Sequence, residues 1–328
     1  MRIRVISLSA LLAFLPAALF AEAGTSGGQT LARPIGARAA AMGQAFTAVG
    51  GDPESLIYNP AGTGFVSSAT ISLSYLRGYA KDGTGLLAAS YRLGRVVLTP
   101  ALLYYNAGTI NLNLSDGTKG EVTAQEDKVG MMNVAVNPFD FLSVGGTLKY
   151  SQFRLAETAS AKAVNYDVGA IVSMWGLSAG IARQNMGGSI KFEEESDPPP
   201  TATRLGLAVR QNFEPLSSSS IEPESWTLLV SGDMVKPDKE STYYQTGLEV
   251  NMTYDPGSTF AVRGGYLFNR SDENFTLGFG TIQGSWGFDY ALGGSSNLGS
   301  RHQMTLSYHF AAPSDDDEVQ LPSISVAQ

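Results

Sequence analysis

The 328-residue sequence contains no cysteine and only two histidines. The absence of thiols excludes disulfides, thiolate metal sites and cysteine nucleophiles. Charged residues are also scarce, at 16%, and the net charge of −8 argues against nucleic acid as a partner. After residue 23, no stretch approaches 18 uninterrupted apolar residues, so the remaining chain carries no signal for a transmembrane helix. Its fold must be stabilised without disulfides and without membrane-spanning helices.

The first 23 residues have the pattern of a secretory signal peptide. Arg2 and Arg4 are followed by the apolar residues 5–20 and then by small residues at Ala21 and Ala23. This pattern predicts export with cleavage after Ala23. An uncleaved N-terminal anchor is the alternative, and Pro16 within the apolar stretch weakens it. No cysteine follows, which excludes lipoprotein processing.

The chain is rich in glycine, with 37 residues, and in tyrosine, with 14. Between residues 69 and 310 it alternates between apolar and small polar residues in short segments separated by turn residues. In residues 142–151, for example, Leu142, Val144 and Leu148 share one face, while Ser143 and Thr147 share the other. About fourteen such segments of roughly 8–13 residues can be counted, a length that suits a tilted strand crossing a bilayer.

The aromatic residues favour a membrane location for these strands. Many stand near segment ends, where interfacial girdles lie, and the last strand ends on Tyr308 and Phe310. Outer-membrane barrels often end in this way, and the barrel-assembly machinery reads that signal. A closed barrel is the sheet form that satisfies every backbone polar group in lipid. A soluble exported β-domain is the alternative, and the absence of a blade-length repeat disfavours a propeller.

The fold class predicted is therefore all-β: a closed antiparallel transmembrane β-barrel of about 14 strands at residues 67–310, in contact with the lipid of a Gram-negative-type outer membrane. Residues 24–66 form a separate block ahead of it. Residues 311–328 are predicted to be an acidic, disordered periplasmic tail. Apolar spacing predicts a short helix in residues 31–48 and a second turn or helix in residues 53–57. Tyr58-Asn59-Pro60-Ala61-Gly62 predicts a rigid corner.

The block at residues 24–66 resembles the N-terminal signature of the PorV/PorQ family, within the wider FadL-like group of outer-membrane proteins. The residues that carry this resemblance are Pro34, Gly36, Ala37, Arg38, Ala39, Met42, Gly43, Ala45, Asp52, Asn59, Pro60, Ala61 and Gly62. Weaker strand motifs follow in the family's order, such as Val144-Gly145-Gly146-Thr147. The resemblance implies a fourteen-stranded barrel whose N-terminal segment folds inside it as a plug. A capping helix on a soluble core is the alternative.

The resemblance also implies transport or export without catalysis and without a cofactor. FadL-like members pass hydrophobic small molecules through a plugged barrel, whereas PorV-like members receive cargo proteins of type IX secretion. Met42 and Phe46 of the plug are the candidate contacts for a hydrophobic ligand. A structural or adhesive surface protein is the alternative function, because the loops at residues 111–125 and 193–201 are long enough to display a binding site.

Two sequence patterns suggest chemistry, but neither has the required context. Gly176-Leu177-Ser178-Ala179-Gly180 matches a nucleophile elbow, yet it lies inside an alternating segment rather than at a strand-to-helix turn. His302 and His309 are seven residues apart on one strand, so they point to opposite faces and cannot share a metal. Lys149, Glu249 and Arg263 are expected to face the lumen. The sequence thus predicts neither a catalytic nor a metal site.

Overall fold

The computed structural model describes residues 26–80, 82–113, 119–192, 194–213, 223–255, 258–270, 273–295 and 299–310. The predicted signal peptide and acidic tail lie outside them. One short helix, α1 (Ala37–Ala41), and three 3-10 helices (Gln29–Ala32, Pro53–Ile57 and Pro60–Phe65) precede the strands. The strands are β1 (Thr70–Arg77), β2 (Gly83–Leu93), β3 (Val96–Asn106), β4 (Thr109–Asn113), β5 (Lys119–Thr123), β6 (Gln125–Phe139), β7 (Leu142–Leu155), β8 (Ala159–Met174), β9 (Leu177–Gly187), β10 (Ile190–Phe192), β11 (Glu195–Asp197), β12 (Ala202–Phe213), β13 (Ser225–Pro237), β14 (Tyr243–Asp255), β15 (Ser258–Phe268), β16 (Phe275–Gln283), β17 (Trp286–Ser295) and β18 (Gly299–His309).

Fourteen of these strands form a closed antiparallel barrel, which confirms the predicted fold class and strand number. Each barrel strand pairs with its neighbour along the chain, and β4–β5 and β10–β11 form separate hairpins. The barrel closes between β1 and β18, where eight residue pairs run from Thr70–His309 to Arg77–His302. Closure leaves the barrel wall without a free sheet edge, as a sheet in lipid requires.

Successive residues of each strand point alternately to lipid and lumen, as the sequence pattern predicts. In β14, Leu248 is 45% exposed on the outer face, whereas the next residue, Glu249, is fully buried in the lumen. Lys149 and Arg263 are also buried on the lumen side, so the predicted orientation of these three charged residues is confirmed. His302 is paired with the outward Tyr290, while His309 faces Thr70 on the inner side. The two histidines therefore stand on opposite faces, as predicted.

The two ends of the barrel differ in the length of their connections. One end, here called the turn end, carries five two-residue links, such as Trp175-Gly176, and one longer link, residues 214–224 between β12 and β13. The first barrel strand starts there at Thr70, and the last ends there at His309. The other, the loop end, carries longer connections, including β4–β5 and β10–β11. Outer-membrane barrels have short turns on the periplasmic side and long loops outside. The prediction that residues 111–125 and 193–201 are plain loops is wrong in part, because both contain residues of these hairpins.

The segment inside the barrel is less helical than its sequence spacing suggests. The short helix predicted within residues 31–48 is confirmed as α1, but it ends at Ala41 although the apolar spacing continues to Val49. Gly43 and Gln44 follow it with φ angles of 60° and 64°, which the right-handed helix does not allow. The turn predicted at residues 53–57 is confirmed as a 3-10 helix. No helix in the described part of the chain is long and apolar enough to cross a membrane.

Candidate functional site

Residues 26–66, here called the plug, run through the barrel from the loop end to the turn end. At the loop end, the backbone N–H of Gly27 donates to the Pro198 carbonyl at 3.0 Å, and the Thr30 hydroxyl donates to Asp127. At the turn end, the Gly64 carbonyl accepts a bond of 2.9 Å from the Asn137 amide. The plug predicted from the resemblance thus lies inside the lumen.

A row of glycines on the inner wall lets the plug backbone approach closely. In this glycine belt, Gly145 lies opposite Gly169, Gly180 opposite Gly206, and Gly247 opposite Gly265, on three pairs of neighbouring strands. A side chain at any of these positions would overlap the plug. The plug residues that meet the belt, in order of the wall glycines above, are Pro60, Asn59, Thr47, Thr47 with Ala48, Met42, and Gly43. The belt determines the position of the plug, because a wall residue with a Cβ at any of these positions would leave no room for it.

Asn59 holds two parts of the plug together and fastens them to the wall. Its side-chain oxygen accepts the Ala61 N–H at 3.0 Å and so caps the 3-10 helix that begins at Pro60. Its amide nitrogen donates to the Thr47 carbonyl at 2.7 Å and also lies 3.3 Å from the wall carbonyl of Ile181. Because an aspartate offers no donor for these carbonyls, the predicted corner depends on the asparagine amide.

A second fastening point lies at Asp233 on β13. One of its carboxylate oxygens accepts the N–H groups of Phe46 and Thr47 at 3.0 and 2.9 Å and the Thr47 hydroxyl at 2.6 Å. Arg204 on β12 pairs with the same carboxylate at 3.1 Å and donates to the Gln44 carbonyl at 2.9 Å. These charge-assisted bonds satisfy backbone groups that the irregular plug leaves without helical partners.

An ion-pair network connects α1 to the barrel wall at β14, β15 and β17. The Arg38 guanidinium forms two bonds of 2.7 Å with Glu249 and one of 3.0 Å with Asp52 of the plug. Arg263 bonds to the same Glu249 at 2.6 Å and to Asp289 at 2.6 Å. Glu249 is thus shared between one plug arginine and one wall arginine. We call these five residues the charge latch.

A cavity of about 380 Å³ lies next to the charge latch, at the turn end. Its polar lining comes from wall residues such as Thr70, Asn251, Thr253 and Ser307. The plug contributes Phe46 and the segment from Gly50 to Glu54. The plug is therefore close-packed against the glycine belt but borders free volume where residues 50–54 lie.

The loop half of the lumen has an apolar wall instead. Leu76, Leu86, Leu103, Val129 and Met131, on neighbouring strands β1, β2, β3 and β6, form one buried cluster, here called the apolar wall. Two plug residues, Ile35 and Leu56, are fully buried against it. Burial of each such side chain stabilises the plugged state by about 1.5–3 kcal/mol. The interior of a water-filled porin is polar, so an apolar wall is unusual for a barrel lumen.

Glu54 is a buried carboxyl group on the plug, between the apolar wall and the charge latch. It is 6% exposed and accepts a bond of 3.1 Å from the Ser74 hydroxyl. Burial, with a smaller contribution from the charge of Asp52, raises the pKa of Glu54 from 4.5 to about 7. The carboxyl group therefore changes its charge near neutral pH.

The structure separates the two predicted ligand contacts. Phe46 lines the turn-end cavity and packs against Tyr58, with the ring centroids 5.7 Å apart. Met42 is fully buried with its backbone against Gly247, and it does not line that cavity. Its role as a ligand contact stays a prediction.

The remaining signature residues are distributed along the plug. Arg38 and Asp52 belong to the charge latch, and Asn59 and Pro60 lie at the glycine belt. Gly36 has a φ of 112° and precedes α1, where a Cβ would overlap Glu54. Their positions give each a packing or charge-pairing role in the plug.

Sequence reasoning missed several residues of this site. Asp233, Arg204, Asp289 and Glu54 belong to no recognisable motif. A charged residue at an inward position of a strand whose outer face is apolar is a usable signal, as the prediction for Glu249 shows. Ser178, the candidate nucleophile, is the second residue of β9 and donates to Ser173 at 2.9 Å. Its place on a strand differs from the strand-to-helix turn of a nucleophile elbow.

At the turn end, Tyr308 and Phe310 stand on the outer surface. Their rings are 5.1 Å apart, and Trp286 packs on Tyr308 at 4.8 Å. The Phe310 N–H donates to the Ala69 carbonyl at 2.9 Å, one residue beyond the end of β18. Their role as an assembly signal stays a prediction.

Comparison with known proteins shows the fold. No family model and no curated relative matches the chain. Among solved structures, the toluene transporter TbuX of Ralstonia pickettii is 12% identical, with 84% of this chain and 98% of that chain covered and a TM-score of 0.56. The toluene transporter TodX of Pseudomonas putida is 10% identical, with 82% and 95% covered and a TM-score of 0.52. A Pseudomonas aeruginosa FadL homologue is 10% identical, with 85% and 99% covered and a TM-score of 0.49. The chain thus shares the barrel fold of the two toluene transporters.

Proposed function

We propose that the protein transports hydrophobic small molecules across the outer membrane and that movement of the plug opens the path. The observation that carries this proposal is the apolar wall, which faces the loop end of a lumen closed by the plug. A lumen for ions or sugars has polar walls, whereas this one offers Leu, Val and Met side chains to a solute from outside. The likeness in fold to two toluene transporters supports the same substrate class.

The packing of the plug suggests which part moves. The segments at the glycine belt lie against wall backbone so closely that no Cβ fits between them, so they cannot shift toward the wall. Residues 50–54 border the turn-end cavity and are held by the charge latch and by Leu56 in the apolar wall. We propose that a hydrophobic solute displaces Ile35 and Leu56 from the apolar wall, and that residues 50–54 then move into the cavity.

Uptake measurements with paired leucine variants test this proposal. Leu103 belongs to the apolar wall, whereas its neighbour Leu102 is 63% exposed on the outer face. Cells that depend on this protein for uptake of a radiolabelled monoaromatic hydrocarbon should lose most of the uptake with Leu103→Gln. Leu102→Ala, the matched control, should keep it. Equal uptake by both variants at equal amounts of folded barrel would contradict the proposal.

The resemblance of the plug to the PorV/PorQ signature supports a second candidate, receipt of a secreted cargo protein at the cell surface. The hairpins β4–β5 and β10–β11 lie at the loop end, where such a cargo or an adhesion partner would bind. Purification from outer membranes followed by mass spectrometry distinguishes the candidates. A bound apolar small molecule favours transport, whereas a co-purifying exported protein favours the cargo role. Loss of surface binding on deletion of residues 111–123, with uptake unchanged, favours adhesion.

A further inference from the structure

Three cations are brought together on the outer face of the barrel at its loop end. Lys128 on β6 lies opposite Gln152 on β7, which lies opposite Lys162 on β8. Arg154, two residues beyond Gln152, lies diagonal to both lysines across the two strand pairs. Diagonal partners in such a ladder are roughly 7–8 Å apart, within the reach of long side chains. Lys128, Arg154 and Lys162 thus surround Gln152, and we call them the cation triangle.

The side chains of the cation triangle are exposed and only partly neutralised. Lys128, Arg154 and Lys162 are all exposed on the outer face, and 60% of the Lys128 side-chain surface is accessible. Glu126 pairs with Lys128 at 2.8 Å. Glu157, at the adjoining turn, accepts the Thr123 N–H at 3.1 Å. Within the described residues, neither Arg154 nor Lys162 forms an ion pair.

The aromatic residues place the cation triangle at the headgroup level of the membrane. Tyr104 lies opposite Lys128, with the ammonium 6.0 Å from the ring centroid. Tyr150 lies two residues below Gln152 on the outer face, which is roughly 7 Å along the strand. Outward tyrosines mark the interface between hydrocarbon and headgroups, so the cations lie just outside it.

We propose that the cation triangle binds the phosphate groups of the outer-leaflet glycolipid. Arg154 offers a planar fork for a phosphate, and the two lysines add point charges on either side. Gln152 supplies a neutral hydrogen-bond donor between them. A phosphate at the headgroup level carries the complementary charge, and the loop end faces the outer leaflet if the short turns are periplasmic. This site is independent of what passes through the lumen.

Lipid retention by the purified full-length barrel tests the site. Native mass spectrometry would compare a bis-phosphorylated diglucosamine glycolipid with the same lipid after dephosphorylation. Arg154→Gln/Lys162→Gln should weaken binding of the phosphorylated lipid by roughly tenfold, since each cation contributes to attraction of an anionic headgroup. The matched control, Arg77→Gln/Lys236→Gln, removes two outward cations at the same end but outside the triangle. It should bind as the unchanged protein does, and the dephosphorylated lipid should not distinguish the variants.

Three outcomes would overturn the proposal: equal weakening in the control, equal retention of the dephosphorylated lipid by the unchanged protein, or full competition by phosphatidylglycerol. The heat-dependent shift in gel migration of folded barrels shows whether each variant has folded. If the triangle variant does not fold, the unchanged protein still gives the test. Its retention of the phosphorylated lipid must fall as salt is raised, because exposed charges are screened, and salt-independent retention would overturn the site.

Discussion

At the residue scale, Arg38 is the group on which the charge latch depends. It is the cation of the latch that belongs to the plug, and its partner Glu249 is fully buried in the wall. Without Arg38, the residues Glu249, Arg263 and Asp289 stay paired with one another. Asp52 has no other partner in the latch and is left unpaired there. Removing one member of a buried ion pair is costly, because the other charge stays buried without its partner. Removing both members together costs much less.

Arg38→Ala should therefore destabilise the plugged barrel by about 3 kcal/mol, the lower end of the cost of breaking a buried ion pair because Arg263 still pairs with Glu249, and should raise the open-channel current. Arg38→Ala/Glu249→Gln should recover part of the stability, because the fully buried Glu249, which has lost one of its two arginine partners, then carries no charge. Urea unfolding in detergent gives the stability, and planar-bilayer recording gives the current. An additive or larger penalty in the double variant would show that the latch does not act through Glu249.

Glu54 gives the plug a dependence on pH. Its pKa is about 7 in the folded protein and 4.5 in the unfolded chain, so the folded state keeps the proton longer. The contribution to stability is fully present below pH 4.5, falls as pH rises toward 7, and then levels off. The total loss is about 3 kcal/mol from a difference of this size.

Glu54→Gln should abolish this fall, because glutamine keeps the bond with Ser74 but cannot ionise. The measurement is the urea midpoint of both proteins between pH 4.5 and 8. Glu121→Gln, which changes an exposed carboxylate in β5, is the control and should leave the fall unchanged. If Glu54→Gln shows the same decline as the unchanged protein, another group is responsible.

At the element scale, the glycine belt explains why the plug is irregular. A helix is about 10 Å across with its side chains, but an extended or 3-10 segment of Ala, Gly and Thr lies flatter against the wall. The plug follows the belt over Met42–Thr47 and again at Asn59 and Pro60. Gly180 is central in this arrangement, because a Cβ there would overlap the Thr47 carbonyl.

Gly180→Val should displace the plug at Thr47 while leaving the barrel folded. We expect faster cleavage of the plug by added protease and a larger bilayer current, with the heat-dependent gel shift unchanged. Gly130→Val is the matched control, since Gly130 lies on the outer side of β6, where a Cβ meets only ordinary contacts beyond 3.8 Å. Equal protection of the plug from protease in both variants would show that the glycine belt does not hold it in place.

The strands could be predicted from the sequence because each carries its own period-two pattern. Residues 142–151 alone assign β7, its outward Val144 and Leu148 and its lumen-facing Lys149. The plug could not be predicted in the same way. Its apolar spacing resembles a helix, but Gly247 and Gly265, two hundred residues away, require the turn at Gly43. A local sequence pattern is enough to predict a strand whose outer face needs only an apolar environment such as lipid. It is not enough for the plug, because the shape of the plug depends on particular wall residues far away in the sequence.

At the scale of the whole molecule, the tryptophans distinguish the same two barrel ends as the lengths of the connections do. All three tryptophans stand at the turn end: Trp175 in a two-residue link, and Trp226 and Trp286 at or next to the first residues of β13 and β17. Each is exposed on the outer surface. Tryptophan favours the membrane interface, so this ring marks one face of the membrane and the tyrosines near the cation triangle mark the other.

The orientation can be measured because the natural chain has no cysteine to interfere. Single cysteines at Lys239, in the exposed β13–β14 loop, and at Asp140, whose side chain is 92% exposed in a turn-end link, report the two faces. A membrane-impermeant maleimide added to intact cells should label Lys239→Cys and leave Asp140→Cys unlabelled, because short turns face the periplasm. After lysis both should react, which controls for accessibility. Labelling of Asp140→Cys alone in intact cells would reverse the orientation, and the apolar wall would then face the periplasm rather than the supply of solutes outside.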